Sequence, residues 1–434
     1  MIFFKKIYLS GINKIENKIN LHLTTFVKQG TWYFISHVAN IIFAFSTSYL
    51  FAHYISKEEY GIYKYILSLS GILGAFTLTG MNISITRAVA NGKLNSYIPS
   101  IKYQLRWNSY LFIISTIPIV YWMISGNFKI ALGFGFISLS TILLTTFNTY
   151  NAYLSGKKEF KLIARYNIIS SIFQTVSICS AIFLFKNALS IIIFSFSAQT
   201  LSAIFFYVKT KPDVKNVPST TYSKDETIQF GKKLSLNNII KLISDQSDKF
   251  IMFNLFGPYQ LAIYAFAQAL PDQIRGLFKI IPSVILPHLS ERADQDIPKT
   301  FWKYLGVLFL LVTSMVIIYN IFAYFIFALF FSTYIDSVFY SRILSISMIP
   351  ATLTLPLITL LNAQGKAGVS RTLSTTSAFT EIITLYVSGY FFGFIGMVIG
   401  KAISATIIFI IALFLVNKNY SIDPLTKIKL LKRM

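Results

Sequence analysis

Four charged residues interrupt an apolar segment that is long enough to cross a membrane. In NNIIKLISDQSDKFIMFNLFG, residues 237–257, they are Lys241, Asp245, Asp248 and Lys249. On a helix, Lys241, Asp245 and Asp248 follow i, i+4, i+7 spacing and therefore share one face. A charge at the bilayer centre costs roughly 3 kcal/mol unless it meets a partner or a wet cavity. The stripe is therefore a candidate functional site.

A second polar stripe lies on the next span, where the residues at i, i+4, i+7 and i+11 are Gln268, Asp272, Arg275 and Lys279. Two consecutive helices with such stripes are expected to face each other or a shared aqueous cavity. Static ion pairs at helical spacing are available, namely Asp272 with Arg275 and Asp245 with Lys241 or Lys249. Within a membrane, contact with a substrate or a coupling ion is favoured for Arg275 and Asp245.

Three further charges lie within the apolar spans. Lys64 and Lys401 are near the outer ends of their spans, so their long side chains can reach the headgroups. Lys64 also belongs to the internal copy of the span that carries Arg275, which keeps a role in the cavity open. Glu381 is too deep to reach the headgroups easily, and it suits either a proton-coupling carboxylate or a partner of a nearby cation.

The chain that positions these groups has the composition of a membrane protein. Of its 434 residues, 54% are hydrophobic and 13% are charged, and the charged fraction is about half that of soluble domains. Apolar runs of about 20 residues recur and lack strand-like alternation, which predicts membrane-spanning helices. We predict an all-α polytopic membrane protein with twelve transmembrane helices, at residues 31–53, 62–84, 108–125, 130–153, 166–185, 188–208, 234–256, 261–289, 304–331, 344–363, 372–393 and 396–416.

Basic residues are distributed very unevenly between the two sides of these spans. Of 39 Lys and Arg residues, 29 lie in the termini and in alternate loops, whereas the opposite loops hold only Lys57, Lys129, Lys186 and Arg342. Such an asymmetry predicts that both termini are cytoplasmic. It also explains the net charge of +23, because most of the basic residues would face anionic lipid headgroups. Nucleic-acid binding is not needed to explain this charge.

The two halves of the chain resemble each other at a constant offset of 201 residues. Gly30 corresponds to Gly231, and Tyr63 corresponds to Tyr264. Each half has six spans, and because six is an even number, both halves enter the membrane from the same side. The halves are therefore predicted to be parallel repeats around a central cavity. The predicted segments are a basic cytoplasmic segment 1–30, a six-helix bundle 31–208, a cytoplasmic linker 209–230, a second six-helix bundle 231–416 and a basic cytoplasmic tail 417–434.

Motifs of common enzymes are missing from the sequence. It contains no Gly-rich phosphate loop, GxSxG or HExxH motif, which disfavours direct ATP use and common hydrolase chemistry. One cysteine, Cys179, and four scattered histidines give no metal-site pattern. The outer connections are also too short for the catalytic groups of a sugar polymerase or ligase. We therefore expect no enzyme activity, no metal and no cofactor.

Residues 27–93 resemble the first two spans of a known family. VKQGTWYFIS and the later FAHYISKEEYGIYKYILSLSGILGAFTLTGMNISITRAVANGK are similar to Wzx-type polysaccharide-unit flippases of the multidrug/oligosaccharidyl-lipid/polysaccharide exporter superfamily. The matching positions are Gly30, Glu58, Tyr60, Gly61, Tyr63, Gly80, Arg87 and Ala90. The likeness extends over the whole chain in span number and layout. Gln29 departs from the pattern, because relatives often have Lys there.

The resemblance implies a flippase that moves an undecaprenyl-pyrophosphate-linked oligosaccharide from the inner to the outer leaflet of the bacterial inner membrane by alternating access, for O-antigen or capsule assembly. Its implied partners are this substrate, membrane lipids and other polysaccharide-assembly proteins. The cations available for the pyrophosphate are Arg275, Lys279, Lys241 and Lys64. The groups available for coupling to a proton or sodium gradient, or for charge balance, are Asp245, Asp248, Asp272 and Glu381.

Three alternatives stay open at this point. A peptidoglycan-precursor exporter of the same superfamily would share the fold, although such relatives usually have two more spans. A multidrug exporter would favour acidic over basic cavity residues because its substrates are commonly cations. A membrane sugar polymerase or ligase is disfavoured by the short outer loops.

Overall fold

The protein is almost entirely helical in the part that the computed structural model describes, residues 23–210, 224–278, 299–363 and 367–419. Two short 3₁₀ turns, Leu94–Ser96 and Ser332–Tyr334, accompany the helices, and no β-strand occurs within these ranges. The helices are α1 (Leu23–Tyr54), α2 (Lys57–Ala75), α3 (Gly80–Ala90), α4 (Tyr97–Ile124), α5 (Phe128–Phe147), α6 (Tyr150–Gly156), α7 (Phe160–Leu184), α8 (Ala188–Thr210), α9 (Lys224–Phe278), α10 (Lys299–Phe330), α11 (Ser337–Ala363) and α12 (Ala367–Asn419).

The predicted all-α polytopic membrane class is confirmed. Nine helices in the described ranges are long and apolar enough to cross a membrane, or ten if the pair α2 and α3, bent by 54°, is one span. Two of these candidates, Glu226–Phe278 and Gly368–Lys418, have 53 and 51 residues, more than twice the ~20 that a bilayer requires. If each of these two crosses twice and the bent pair α2 and α3 is one span, the number of crossings agrees with the predicted twelve, and that number stays a prediction.

Single glycines interrupt the two long helices. Gly257 in α9 has φ 84° and Gly393 in α12 has φ 67°, a backbone region that side chains with a Cβ avoid. Pro258 follows Gly257, and its fixed φ suits the first turn of a new helical segment. Gly257 lies 201 residues after Ser56, in the break between α1 and α2, so this break repeats at the offset found in the sequence.

The chain divides into two compact units, here called unit 1 and unit 2. Unit 1 comprises Met1–Leu50 and Phe76–Leu236, and unit 2 comprises Phe51–Ala75 and Asn237–Met434. Helix α2 therefore belongs to unit 2, whereas the sequence analysis assigned it to the bundle 31–208. The predicted bundle and linker boundaries at 209–230 stay predictions.

Unit 1 is held together by apolar packing and by buried amide and hydroxyl groups. Its largest described core includes Met81, Ile85 and Tyr97, which are all fully buried. The buried Asn108 of α4 donates to the hydroxyls of Thr145 and Thr146 of α5, at 3.1 Å each. Interhelical hydrogen bonds of this kind help to hold membrane helices together, since lipid tails are as apolar as the helices themselves.

In unit 2, α2 packs antiparallel to the first segment of α9. Gly61 lies so close to the carbonyl group of Pro258 that a Cβ atom there would overlap it. Four residues further along α2, the ring of Tyr65 stacks on Phe253 with centroids 3.8 Å apart and planes at 14°. Gly61 therefore allows the two helices to approach closely, and the stacked rings of Tyr65 and Phe253 pack between them one turn away.

Aromatic rings bury the start of α2 in unit 2. The ring of Tyr60 lies 4.8 Å from that of Phe266, which stacks on Tyr334 at 3.7 Å. Next to them, the ammonium of Lys57 donates to Asp336 at 3.1 Å. The segment around Tyr60 and Gly61, part of the family-like stretch of the sequence, thus has a packing role in this unit.

The two segments of α12 fold back on each other at Gly393. A Cβ atom on Gly396 would overlap the carbonyl oxygen of Ser388, and a Cβ atom on Gly400 would overlap its hydroxyl. Small residues at an interface allow two backbones to approach closely within a membrane. This fold-back brings residues near 381 and 401 together, although 20 residues separate them along the chain.

We expect Gly61→Ala to destabilise the protein because the added methyl overlaps the Pro258 carbonyl. The matched control is Gly74→Ala on the same helix, where a Cβ meets open space and helix propensity gains about 1 kcal/mol. Thermal unfolding in detergent should show a lower Tm for Gly61→Ala and an unchanged or higher Tm for Gly74→Ala. Equal Tm values for both variants would contradict the close approach.

Candidate functional site

Both predicted polar stripes line one cavity within unit 2. Its volume is about 490 Å³, within the size range of small-molecule pockets. The first segment of α9 contributes Lys241, Asp245 and Asp248, while the segment after Gly257 contributes Asp272 and Arg275. Helices α11 and α12 complete the wall. The helical spacing predicted from the sequence therefore places these side chains on a common surface.

Charge is balanced on the cavity wall. The basic residues that line it are Lys241, Lys249, Arg275 and Lys401, and the acidic ones are Asp245, Asp248, Asp272 and Glu381. Four positive groups face four negative groups, so the formal charge of the lining is zero. A cavity of this kind suits a solute that carries both polar and charged groups better than a simple cation.

Two of the ion pairs are partly exposed. The Lys241 ammonium lies 3.3 Å from the Asp245 carboxylate, and the Arg275 guanidinium lies 3.4 Å from Asp272. Exposure of the four side chains ranges from 35% to 54%. Exposed pairs of this type contribute only about 0–1 kcal/mol. Their partners can therefore be exchanged for a ligand at little cost.

Asp248 is the centre of a buried network. Its side chain is 1% exposed, and its Oδ2 accepts hydrogen bonds from Lys401 Nζ at 3.1 Å, the Tyr264 hydroxyl at 3.1 Å and Gln268 Nε2 at 3.2 Å. Its Oδ1 accepts from the backbone N–H of Lys249 at 2.7 Å, with the Lys249 ammonium at 3.8 Å. Both oxygens of the buried carboxylate are thus satisfied.

Lys401 connects this carboxylate to a second one. Its Nζ lies 2.5 Å from Glu381 Oε1, and Ser244 donates to Glu381 Oε2 at 2.9 Å. Ser244 and Asp248 belong to the first segment of α9, whereas Glu381 and Lys401 lie on either side of the break in α12. The network therefore joins helical segments that are distant in sequence.

The expectation that Lys401 reaches towards the headgroups is wrong. Its side chain is 15% exposed and binds Asp248 and Glu381, because the fold-back at Gly393 turns this part of α12 against Glu381. Lys249 likewise pairs with Asp248 and not with Asp245. Hydropathy alone does not tell which way a lysine near a span end will point.

Two of the predicted cationic side chains, Lys64 and Lys279, are not among the described residues that line this cavity. Lys64 lies over the rings of Tyr60 and Tyr63, at 5.2 and 5.8 Å from their centroids, and is not part of the cavity lining. Lys279 lies outside the described residues. The binding and coupling roles assigned to the eight site residues stay predictions.

The rest of the wall is rich in hydroxyl groups, whose positions could not be singled out from the sequence. They belong to Ser244, Ser347, Thr354, Ser374, Ser377 and Ser404. The hydroxyl of Ser244 donates to Glu381, and those of Ser347, Thr354 and Ser404 donate to main-chain carbonyl groups. Their oxygens can still accept hydrogen bonds from a solute. Next to exchangeable ion pairs, such a wall can bind a solute that carries hydroxyl groups and an anionic group.

The chain is similar to proteins of known families. A family profile described as polysaccharide biosynthesis protein matches residues 50–338, more than half of the chain. A Shigella flexneri protein named “Putative O-antigen transporter” is 23% identical over 319 residues, which is 67% of this chain and 73% of that protein.

Solved structures of membrane transporters share the fold. The lipid II flippase MurJ in an inward closed conformation has a TM-score of 0.66 at 15% identity, covering 89% of this chain and 87% of that one. An inward-facing multidrug resistance MATE family transporter of the MOP superfamily has a TM-score of 0.64 at 11% identity, with coverage of 88% and 95%. A MATE transporter from Vibrio cholerae gives 0.64 at 12%, with coverage of 91% and 98%.

We expect Asp248→Asn to lower stability by about 3 kcal/mol, because removing one partner of a buried pair leaves charge uncompensated. The control is Asp245→Asn in the same cavity, where the exposed pair with Lys241 is worth about 1 kcal/mol or less. Thermal unfolding of both variants measures the difference. A variant at position 248 as stable as the one at 245 would show that the network does not stabilise unit 2.

Proposed function

We propose, since the chain belongs to the polysaccharide biosynthesis protein family, that it is a flippase for a lipid-linked oligosaccharide. Its substrate would be an undecaprenyl-pyrophosphate-linked repeat unit of O-antigen or capsule. The protein would carry the sugar and pyrophosphate from the inner to the outer leaflet by alternating access. The lipid tail would stay in the bilayer, since only the polar headgroup is unable to cross hydrocarbon unaided.

The position of Arg275 in the cavity wall is the observation that supports this proposal most directly. Its guanidinium lies in the wall of the cavity, 35% exposed, and its partner Asp272 is itself partly exposed at 3.4 Å. A guanidinium offers a planar pair of donors that matches a phosphate. A pyrophosphate can therefore take the place of Asp272 on Arg275 without leaving a buried charge unpaired. Lys241 would add a second cation, and Lys279 and Lys64 are further candidates.

The hydroxyl-rich part of the wall supports an oligosaccharide as the remainder of the headgroup. Sugar hydroxyls can donate to the serine and threonine oxygens of this wall, and they can accept from the ammonium and guanidinium groups beside them. The balanced charge of the lining also favours this substrate over a cationic drug, for which an excess of acidic groups would be expected. The relatives and solved structures described above are named as transporters or flippases, which supports a transport role over a polymerase or ligase.

The acidic residues would act after the headgroup has left. Asp245, Asp248, Asp272 and Glu381 would neutralise the empty cavity or take part in coupling to a proton or sodium gradient. In the cell, the protein would lie in the bacterial inner membrane with both termini cytoplasmic. It would receive its substrate from, and pass it to, other polysaccharide-assembly proteins.

Flipping can be measured in liposomes that contain the purified protein and a polyprenyl-pyrophosphate-linked oligosaccharide with a fluorescent sugar. A membrane-impermeant quencher reports the leaflet in which the sugar lies. We expect protein-dependent redistribution that falls at least about tenfold in Arg275→Ala, equivalent to the loss of about 1.4 kcal/mol. Arg342→Ala, an exposed arginine of the same unit outside the cavity lining, is the matched control and should keep wild-type flipping.

Four results would contradict this function. If a folded protein gives no redistribution under any ion gradient, it does not flip this lipid. If both arginine variants lose flipping equally, the result contradicts a specific role for Arg275 in the cavity. Faster redistribution of a peptide-bearing pyrophosphate lipid than of the oligosaccharide lipid would favour peptidoglycan-precursor export. Export of a cationic dye in the same liposomes would favour drug transport.

The orientation can be tested with single cysteines introduced into a Cys179→Ser background. Ser125 and Asn91 are both exposed and follow α4 and α3, respectively. A membrane-impermeant maleimide should label Ser125→Cys in intact cells and should label Asn91→Cys only after permeabilisation, since the basic loops are expected to be cytoplasmic. The reverse labelling pattern would place the termini outside.

A further inference from the structure

We propose that the carboxylates of Asp248 and Glu381 form a site for one monovalent cation, and that the ammonium of Lys401 is its resident occupant. The inference goes beyond the proposed function, because it concerns how the chain holds two acidic groups in a membrane and does not depend on the identity of the substrate. It assigns to Lys401 a role that an ion from solution would otherwise fill.

The first argument is the position of the ammonium. Lys401 Nζ lies 3.1 Å from Asp248 Oδ2 and 2.5 Å from Glu381 Oε1. One nitrogen therefore contacts a carboxylate oxygen on each side, as a bound cation between two anions would. The side chains of Asp248 and Glu381 are 1% and 15% exposed, so little water is available to separate their charges.

The second argument is the cost of the alternative. Two carboxylates that share a poorly solvated site repel each other, and one of them must be protonated unless a cation lies between them. Burying an unpaired carboxylate costs several kcal/mol. The ammonium at this point satisfies both groups and removes the need for a further ion.

The third argument is that the surroundings hold the carboxylates in place without the lysine. Tyr264 and Gln268 donate to Asp248, and Ser244 donates to Glu381. These groups come from α9 and would stay if the side chain at 401 were shortened. The two carboxylates and nearby hydroxyl oxygens are the hard ligands that Na⁺ and similar cations take, by the same preference that governs Ca²⁺ and Mg²⁺ sites.

Lys249 cannot replace Lys401 in this role. Its ammonium lies 3.8 Å from Asp248 Oδ1, beyond hydrogen-bond distance, and it is not among the groups bonded to Glu381. With both lysines counted, two positive groups accompany two carboxylates. The network is thus neutral as it stands.

The test compares thermal unfolding in NaCl and in choline chloride at equal ionic strength and mildly alkaline pH. We expect no sodium-specific shift in the wild type, whose site is filled. In Lys401→Ala, Na⁺ should fill the vacated position and raise Tm by about 4 °C or more, since a ligand that binds only the folded state stabilises it. Lys241→Ala, which removes an exposed lysine from the same cavity, is the matched control and should show no such shift.

Isolation of Lys401→Ala only in the presence of Na⁺ would also support the proposal. If that variant folds in neither salt, the double variant Glu381→Gln with Lys401→Met decides, because it removes one charge of each sign. A double variant that folds and has the same Tm in both salts would support Lys401 as the cation that balances the two carboxylates. A double variant that fails to fold would overturn the proposal and indicate that Lys401 has a packing role.

Two further outcomes would overturn the proposal. In the first, Lys401→Ala folds and unfolds at the same temperature in both salts, so that no cation site exists. In the second, the wild type gains as much from Na⁺ as the variant does, so that the ion binds beside the lysine. None of these measurements contains a lipid-linked sugar, and a failure of the flippase proposal would leave them unchanged.

Discussion

The buried carboxylate of Asp248 is the constraint on which the architecture of unit 2 depends. A charge that is 1% exposed inside a membrane protein requires donors from every side. Those donors come from both segments of α9 and from the segment of α12 that follows Gly393. To bring these donors to the two oxygens of one carboxylate, α9 must turn back at Gly257 and α12 at Gly393. The two backbone conformations that only glycine adopts readily are therefore linked to the solvation of one side chain.

Two kinds of ion pair share the same cavity and differ in what they can do. The network around Asp248 is buried and fully hydrogen-bonded, so breaking it would be costly and its geometry is fixed. The pairs Lys241–Asp245 and Arg275–Asp272 are partly exposed, and water or a ligand can replace either partner. The fixed network and the exchangeable pairs together would suit the reversible binding of an anionic headgroup that we propose.

Much of this arrangement could be predicted from the sequence, since it follows from short-range periodicity. The helices, the membrane class and the two polar stripes of α9 all depend on residue spacing within one or two turns. The partner of Asp248 could not be predicted, because Lys401 lies 153 residues away and its direction depends on the break at Gly393. For the same reason, hydropathy could not assign α2 to unit 2, where the close approach of Gly61 to Pro258 is a tertiary contact.

The distance in sequence between Asp248 and Lys401 also affects how the protein can be made. Chains are synthesised from the N-terminus, so α9 enters the membrane long before the ribosome reaches α12. During that interval Asp248 has only the groups of α9 itself, Lys249 among them, and the ammonium of Lys401 does not yet exist. The last helix is therefore the one that completes the unit, and biogenesis must protect a half-neutralised helical hairpin until translation ends.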